Sequence, residues 1–202
     1  MANRPRIYTR TGDDGTTGLL YGGRVRKDDP IIECNGAVDE AQAALGLARA
    51  ETERGSELDQ LLVALEADLW VLMAEVATGQ DNRHKLVPGT TEVTPEMVDA
   101  LEGRIDDLLA RFEMPAAFVV PGQSRTSALL DLARTVVRRA ERLALSLPTG
   151  PDSQGGTLVG RYLNRLSDLC WAMARWQEDQ HLLTRSAKPP SPKPPSDDPR
   201  GG

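Results

Sequence analysis

A chain of 202 residues can bury one substantial core but is too short for two ordinary domains. Its 40% hydrophobic and 27% charged residues exclude a disordered chain, and 4% aromatics beside plentiful Ala, Leu, Arg and Glu argue for helix against a β-sandwich or barrel. A net charge of −6 argues against broad nucleic-acid binding, although local basic clusters can still hold phosphate.

Met1-Ala2-Asn3-Arg4-Pro5-Arg6 has no apolar stretch behind it, so no secretory signal is expected. No apolar run approaches the ~20 residues of a membrane helix, and no membrane partner is expected. Residues 5–30 show no helical period and read as a glycine-punctuated loop. Its centre is Tyr8-Thr9-Arg10-Thr11-Gly12-Asp13-Asp14-Gly15-Thr16-Thr17-Gly18, followed by a basic patch at Arg24, Arg26 and Lys27. Asp28-Asp29-Pro30 reads as a turn into a helix.

Five helices are expected next. The first covers about 31–53, with Ala37, Val38, Ala41, Leu45 and Ala48 on one stripe. The second covers about 57–77, with Leu58, Leu61, Leu62, Leu65, Leu69, Leu72 and Val76 in phase. A loop at 79–93 leads to a third helix with Thr94 as N-cap and Pro95 in the first position. Its stripe is Val98, Leu101, Ile105, Leu108 and Phe112, and Pro115 stops it. Pro121-Gly122-Gln123-Ser124 is a turn and cap for a fourth helix with Leu129, Ala133, Val136, Ala140 and Leu143 inside. After a loop at 148–156, a fifth helix over about 157–183 buries Leu163, Leu166, Cys170 and Met173. Long helices joined by moderate loops are most simply a bundle. The expected organisation is one helical domain over 1–186 and a proline-rich flexible tail over 187–202, either unstructured or serving as a lid or strap.

Several residues carry chemistry that packing alone does not require. The N-terminal loop can crowd backbone N–H groups, hydroxyls and basic side chains around an anion, or be an ordinary loop. It is neither a Walker motif nor a dinucleotide fingerprint. Arg134, Arg138 and Glu141 share one face of the fourth helix, with Arg142 near it and Arg139 further round. That face is either a solvated salt-bridge surface or an anion clamp in which Glu141 orients a guanidinium or holds a metal ion.

On the fifth helix Asn164, Asp168 and Trp171 share a face, as a register-setting polar pair or as ligand contacts. Asp39 lies beside Glu40 in an apolar stretch and either finds a cation or sits at the surface. Phe118-Val119-Val120-Pro121-Gly122 is an apolar connector, where a Phe is most often core. Cys34 and Cys170 lie far apart and read as reduced thiols of a cytoplasmic protein. His84 and His181 read as surface residues without a metal.

Taken in order, Tyr8-Thr9-Arg10-Thr11-Gly12-Asp13, Lys27-Asp28-Asp29-Pro30, Gly36-Ala37-Val38-Asp39-Glu40, Phe118-Val119-Val120-Pro121-Gly122, Arg134 to Arg142 and Tyr162-Leu163-Asn164-Arg165-Leu166-Ser167-Asp168 resemble the PduO-type ATP:cob(I)alamin adenosyltransferases over roughly residues 5–180. The resemblance implies an all-α five-helix bundle, ferritin-like in outline, with an N-terminal Gly/Thr-rich phosphate-binding loop. It implies a homotrimer with sites between subunits, and transfer of the 5′-deoxyadenosyl group of ATP to the cobalt of cob(I)alamin with release of triphosphate. ATP and reduced cobalamin would be the substrates, with Mg²⁺ a cofactor and Glu141 its candidate ligand. A reductase would supply the electron, and an adenosylcobalamin-dependent enzyme would receive the product.

By the same resemblance, Thr9, Arg10, Thr11, Gly12, Thr17, Gly18 and Lys27 would wrap the phosphates. Arg138, Arg139, Glu141 and Arg142 would complete that pocket, and Asn164 would touch the nucleotide. Asp39 would pair with Arg134 across the interface, Asp168 would lie near the corrin, and Phe118 would press on its lower face and exclude the axial base. Ala41-Gln42, Gln123 and Trp171 depart from the usual pattern at the corrin pocket and interface. The alternatives are an adenosylcobalamin escort, an ATP-sensing regulatory bundle and a plain helical interaction protein.

Overall fold

The first four helices each begin on a side chain able to accept the free N–H groups of an opening turn. In the computed structural model, which describes residues 7–147, 158–178, 180–184 and 186, α1 is Pro30–Ala50, capped by Asp29 (Oδ1 from Ile31 N–H, 2.9 Å). Ser56 caps α2 (Glu57–Val76) and Thr94 caps α3 (Pro95–Leu109). Ser124 and Ser127 cap α4 (Arg125–Ala144) reciprocally. Helix α5 is Leu158–Trp176. The expected loop at 148–156 and the tail from 187 lie outside the described residues. No helix among those described is long and apolar enough to cross a membrane.

Helix α1 packs on α2 and α4, and α5 packs on α4 and α3, with a smaller contact to α2. The apolar stripes expected of α1 and α2 are buried apart from a half-buried Leu61. On α4 the stripe turns slightly from the expected one: Leu130, Val137 and Ala144 are buried, whereas Leu129 and Leu143 are half-buried. Helix α5 is enclosed almost all round, and the Tyr162 hydroxyl donates to Asp68 of α2 (2.8 Å).

Several elements differ from expectation, α3 among them, which ends at Leu109 before Phe112 of its expected stripe. The N-terminal segment is not all loop. Thr16–Gly18 (β1) and Arg24–Arg26 (β2) form an antiparallel hairpin, Thr17 opposite Val25. Its reversal needs positive φ at Tyr21, Gly22 and Gly23, which the glycines adopt without a Cβ penalty. Helix α1 stops at Ala50 rather than near 53. Thr52 Oγ1 there donates to the Arg49 carbonyl (2.7 Å), and Asp59 draws in both Gly55 N–H and Arg49 Nε (2.8 Å each). Helix α5 stops at Trp176 rather than near 183, because the chain beyond it turns back along the connector before α4. The 79–93 loop contains a short 3-10 helix, Gln80–Lys85, held on α2 where Glu75 accepts from Arg83 (2.8 Å) and from the Val93 N–H (2.7 Å).

An arginine is buried inside the bundle together with its carboxylate partners. Arg175 is 1% exposed, and its guanidinium donates to Asp131 Oδ2 of α4 (2.7 Å) and to both carboxylate oxygens of Glu178 (2.9 and 2.8 Å). A buried guanidinium stripped of one carboxylate costs far more than a lost surface pair. Asp131→Ala should therefore lower unfolding stability by about 3–5 kcal/mol, against about 1 kcal/mol for the cap variant Asp29→Ala. Urea denaturation of both variants checks this, and equal losses would contradict it.

Candidate functional site

The polar residues singled out from the sequence gather in two places. The first is one end of the bundle, where Ile31 of α1, Val76 of α2, Ala144 of α4 and Val159 of α5 meet. The N-terminal hairpin is tied there by Leu20 N–H to the Ala77 carbonyl (2.9 Å). Arg24 staples its loop, donating to the Thr11 carbonyl (2.6 Å) and to Thr16 Oγ1. Asp14 accepts from Thr16 N–H (2.9 Å) and Oγ1 (2.8 Å), which holds its carboxyl below the usual range.

Thr9, Arg10, Thr11 and Gly18 are exposed, and Gly12 and Thr17 half-buried. Arg10 lies over the Tyr8 ring at φ 63°, a left-handed backbone uncommon for a side-chain-bearing residue. Gly12 lies against Lys27: a Cβ there would come within 3.2 Å of its Nζ and 3.1 Å of the Thr16 carbonyl. The loop and Lys27 thus lie against each other at one edge.

At the same end, α4 presents Arg138 and Arg142. Arg138 makes no side-chain hydrogen bond or ion pair among the described residues. Arg142 Nη1 donates to the Arg138 carbonyl (3.0 Å). The Arg138–Glu141 pair that a solvated salt-bridge face would need does not form. Glu141 Oε1 instead accepts from Asn164 Nδ2 of α5 (2.9 Å), and Asn164 Oδ1 accepts from Arg165 (2.7 Å), which also bonds Glu102. Asn164 is therefore not paired with Asp168. Arg139 is taken up by Glu40 of α1. Asp39 is exposed, and no hydrogen bond or ion pair engages its side chain among the described residues. No hydrogen bond or ion pair between described residues joins segment 7–28 to α4.

The second place adjoins the first, one turn back along α4, where the connector before α4 crosses the end of α5. A cleft of ≈ 600 Å³ is bordered by Phe118, Asp131, Arg134, Trp171, Arg175 and Thr184. Phe118 is 86% exposed, which overturns the reading of it as core. Arg134 Nε donates to Asp131 Oδ1 (3.0 Å), leaving its Nη groups without a partner in this chain. Trp171 lies between the Arg175 guanidinium (5.7 Å) and the Phe112 ring (6.4 Å). It also borders a neighbouring cleft of ≈ 430 Å³ with Ile105, Leu109, Arg165 and Asp168. Partial burial raises the Asp168 carboxyl above the usual range and Glu141 adds to that, while Arg165 and Arg138 oppose it.

Sequence reasoning missed Asp131, Arg175 and Glu178, and treated His181 as a surface residue. His181 is half-buried: Nδ1 lies 2.9 Å from Glu178 Oε2, and its ring meets Phe112 edge-on. The available signal was a charge inside an enclosed helix, which must find a partner. That argument was applied to Asp39, which is exposed, rather than to Asp131. Cys34 and Cys170 are free and buried, which pushes their thiols up to about 11 and about 12. Neither offers a thiolate nucleophile. Among the described residues no group of three or more His, Cys, Asp or Glu could hold a metal ion. Glu141 stands as a single carboxylate, suited to a Mg²⁺ ion bound mainly by phosphate oxygens and water.

A family model described as cobalamin adenosyltransferase matches residues 7–177. The chain is 42% identical over 178 residues to a corrinoid adenosyltransferase of Citrobacter freundii, covering 86% of this chain and 95% of that protein. It is 41% identical over 170 residues to a corrinoid adenosyltransferase of Mycobacterium tuberculosis, covering 84% and 87%. Among solved structures it resembles a variant PduO-type ATP:corrinoid adenosyltransferase from Lactobacillus reuteri complexed with cobalamin and ATP. The TM-score is 0.78 at 28% identity, over 91% of this chain and 98% of that one. Another variant from that organism, complexed with ATP, gives 0.71 at 27% identity, over 84% and 93%.

The charges around Asp168 give a direct check on the α4–α5 face. The Arg138 cation favours the Asp168 carboxylate, so removing it disfavours ionisation. In Arg138→Ala the Asp168 pKa should rise further, as read by carboxyl carbon NMR titration. An unchanged or lower value would place Arg138 away from Asp168.

Proposed function

The chain belongs to the cobalamin adenosyltransferase family and transfers the 5′-deoxyadenosyl group of ATP to the cobalt of a reduced corrinoid, and we propose that its two polar regions divide that task between triphosphate and corrin. In this reaction Co(I) attacks C5′ of ATP, a Co–C bond forms, and the C5′–O bond breaks with its electron pair leaving on triphosphate. Co(I) is itself the nucleophile, so the protein must align two substrates and stabilise a polyanionic leaving group. The buried neutral thiols and the lack of a nucleophile–base pair accord with this.

In this reading Thr9, Arg10, Thr11, Gly12, Thr17, Gly18 and Lys27 hold the phosphates, with Arg138 and Arg142 closing on them from α4. The observation that carries the assignment is the Arg138 guanidinium, held at the α4 surface without a hydrogen-bonding partner while the neighbouring carboxylate is engaged by Asn164. Arg139 is spoken for by Glu40, which leaves it a supporting part. Asn164 would touch the nucleotide. Glu141 would hold Mg²⁺, which when bound supplies positive charge to the leaving triphosphate.

Residues 7–28 and the α4 face are not joined within one chain, which supports a site assembled between copies, as a homotrimer. Asp39 is exposed and unpaired among the described residues, and Arg134 has free Nη groups. Both suit a pairing across that interface. Beside the α4 face, Asp168 and Trp171 would flank the corrin, and Phe118 would cover its lower face. Excluding the axial base leaves a four-coordinate Co(II) that is easier to reduce. A separate reductase would provide the electron, an adenosylcobalamin-dependent enzyme would accept the product, and free thiols accord with a cytoplasmic setting. The domain would then comprise residues 1–186, with 187–202 a tail outside the catalytic unit.

Arg138→Ala tests the phosphate assignment. Loss of a charged hydrogen bond to the leaving group costs about 2–4 kcal/mol in the transition state, so kcat/KM for ATP should fall about 30- to 1,000-fold. Triphosphate release with prepared cob(I)alamin measures it, and activity within twofold of the parent would remove Arg138 from the site.

A further inference from the structure

Phe118 stands almost fully in solvent at the cleft rim, so its position is set by its backbone rather than by packing. That backbone is held by the chain beyond α5. The Val120 N–H donates to the Leu182 carbonyl and the Thr184 N–H to the Phe118 carbonyl, both at 2.8 Å, in an antiparallel bridge with Val119 opposite Leu183. Among the described residues, these two backbone bonds are the hydrogen bonds that tie residues 112–123 to the rest of the fold, beside the packing of the Phe112 ring on Trp171 and His181. The strap has its own anchor. His181 Nδ1 meets Glu178, Glu178 meets the buried Arg175, and Arg175 meets Asp131, whose other oxygen holds Arg134. The cleft's two walls, Phe118 and Arg134, are thus held by one connected set of bonds running through the end of α5.

We propose that residues 181–184 are a positioning strap for the corrin-facing Phe118, with Thr184 N–H as the bond that sets its height over the cleft. This rests on the reading of Phe118 as the group that excludes the axial base. The strap acts on Phe118 through its backbone, with only Thr184 of the four residues bordering the cleft itself. Losing the Thr184 bond lets the connector lift, so that the axial base or water returns to cobalt. Arg138 and Arg142 make no hydrogen bond with the strap among the described residues, so the phosphate contacts stay in place.

Thr184→Pro removes that N–H and puts the ring Cδ in its place, which also pushes the Phe118 carbonyl away from the strap. The Ser186 N–H donates to the Leu183 carbonyl (2.9 Å), which puts Thr184 at the second position of a tight turn, where proline's fixed φ is at home. Thr184 is also exposed. The full-length protein with ATP and cob(II)alamin is examined by electron paramagnetic resonance for the four-coordinate Co(II) signal. Turnover is then measured from cob(II)alamin with reductant and from prepared cob(I)alamin. Thr184→Pro should lower the four-coordinate fraction and turnover from cob(II)alamin about three- to tenfold, the range one hydrogen bond sets. ATP KM and turnover from cob(I)alamin should stay within about twofold.

Leu182→Ala, which keeps both backbone bonds and does not border the cleft, should behave as the parent. His181→Gln, which loosens the strap's anchor, should shift the same signal in the same direction. An unchanged four-coordinate fraction in both Thr184→Pro and His181→Gln would overturn the strap. So would equal losses from both cobalamin states with a large fall in Tm. Phe118→Ala run alongside separates the two levels. If it also leaves the Co(II) signal intact, the underlying reading of Phe118 fails. If it abolishes the signal while the strap variants do not change it, only the strap fails.

Discussion

The buried Arg175 guanidinium is the interaction on which the corrin-side architecture depends. A cation inside an otherwise apolar bundle is tolerable only where carboxylates meet it with good geometry. Asp131 from α4 and Glu178 from the turn after α5 do so, and they force α4, α5 and the returning chain to converge at one point. Asp131 then has one oxygen left, which takes Arg134, and Glu178 takes His181. A replacement by packed apolar residues could be as stable, but it would fix neither the direction of Arg134 nor the departure of the chain toward the Phe118 connector.

The molecule's chemistry follows from what cob(I)alamin already supplies. With the nucleophile on the substrate, the chain carries cations and hydrogen-bond donors where an acyl-transfer enzyme would carry an activated side chain. Lys27 beside Gly12 and the Arg138 face of α4 are complementary in charge to a triphosphate. That both lie at one end of the bundle, yet unconnected within one chain, is the structural basis for reading the site as shared between copies.

The helices were legible because their caps and stripes agree. Asp29, Ser56, Thr94 and Ser124 stand where the apolar period begins, and Leu58 through Val76 recur at one spacing. The phosphate-side residues were legible as residue types in a recognisable order. What was not legible depended on contacts far apart in sequence. Glu141 is three residues from Arg138 but bonds Asn164, 23 residues on. Arg175 reaches Asp131 across 44 residues. The hairpin was hidden because its strands are three residues each, too short for a period-2 pattern. Phe118 read as core because composition cannot tell an apolar side chain left in solvent from one that packs.

The sharing of the site between copies is tested most directly by mixing two inactive full-length variants, Lys27→Ala in the loop and Arg138→Ala on α4. Each variant lacks one half of every site. After co-refolding at equal amounts, an arrangement in which loop and helix come from neighbouring copies restores both native halves in about a quarter of the sites, so activity should return to about a quarter of the parent's. Activity no greater than the sum of the two variants alone would contradict the account and place both halves of the site in one chain.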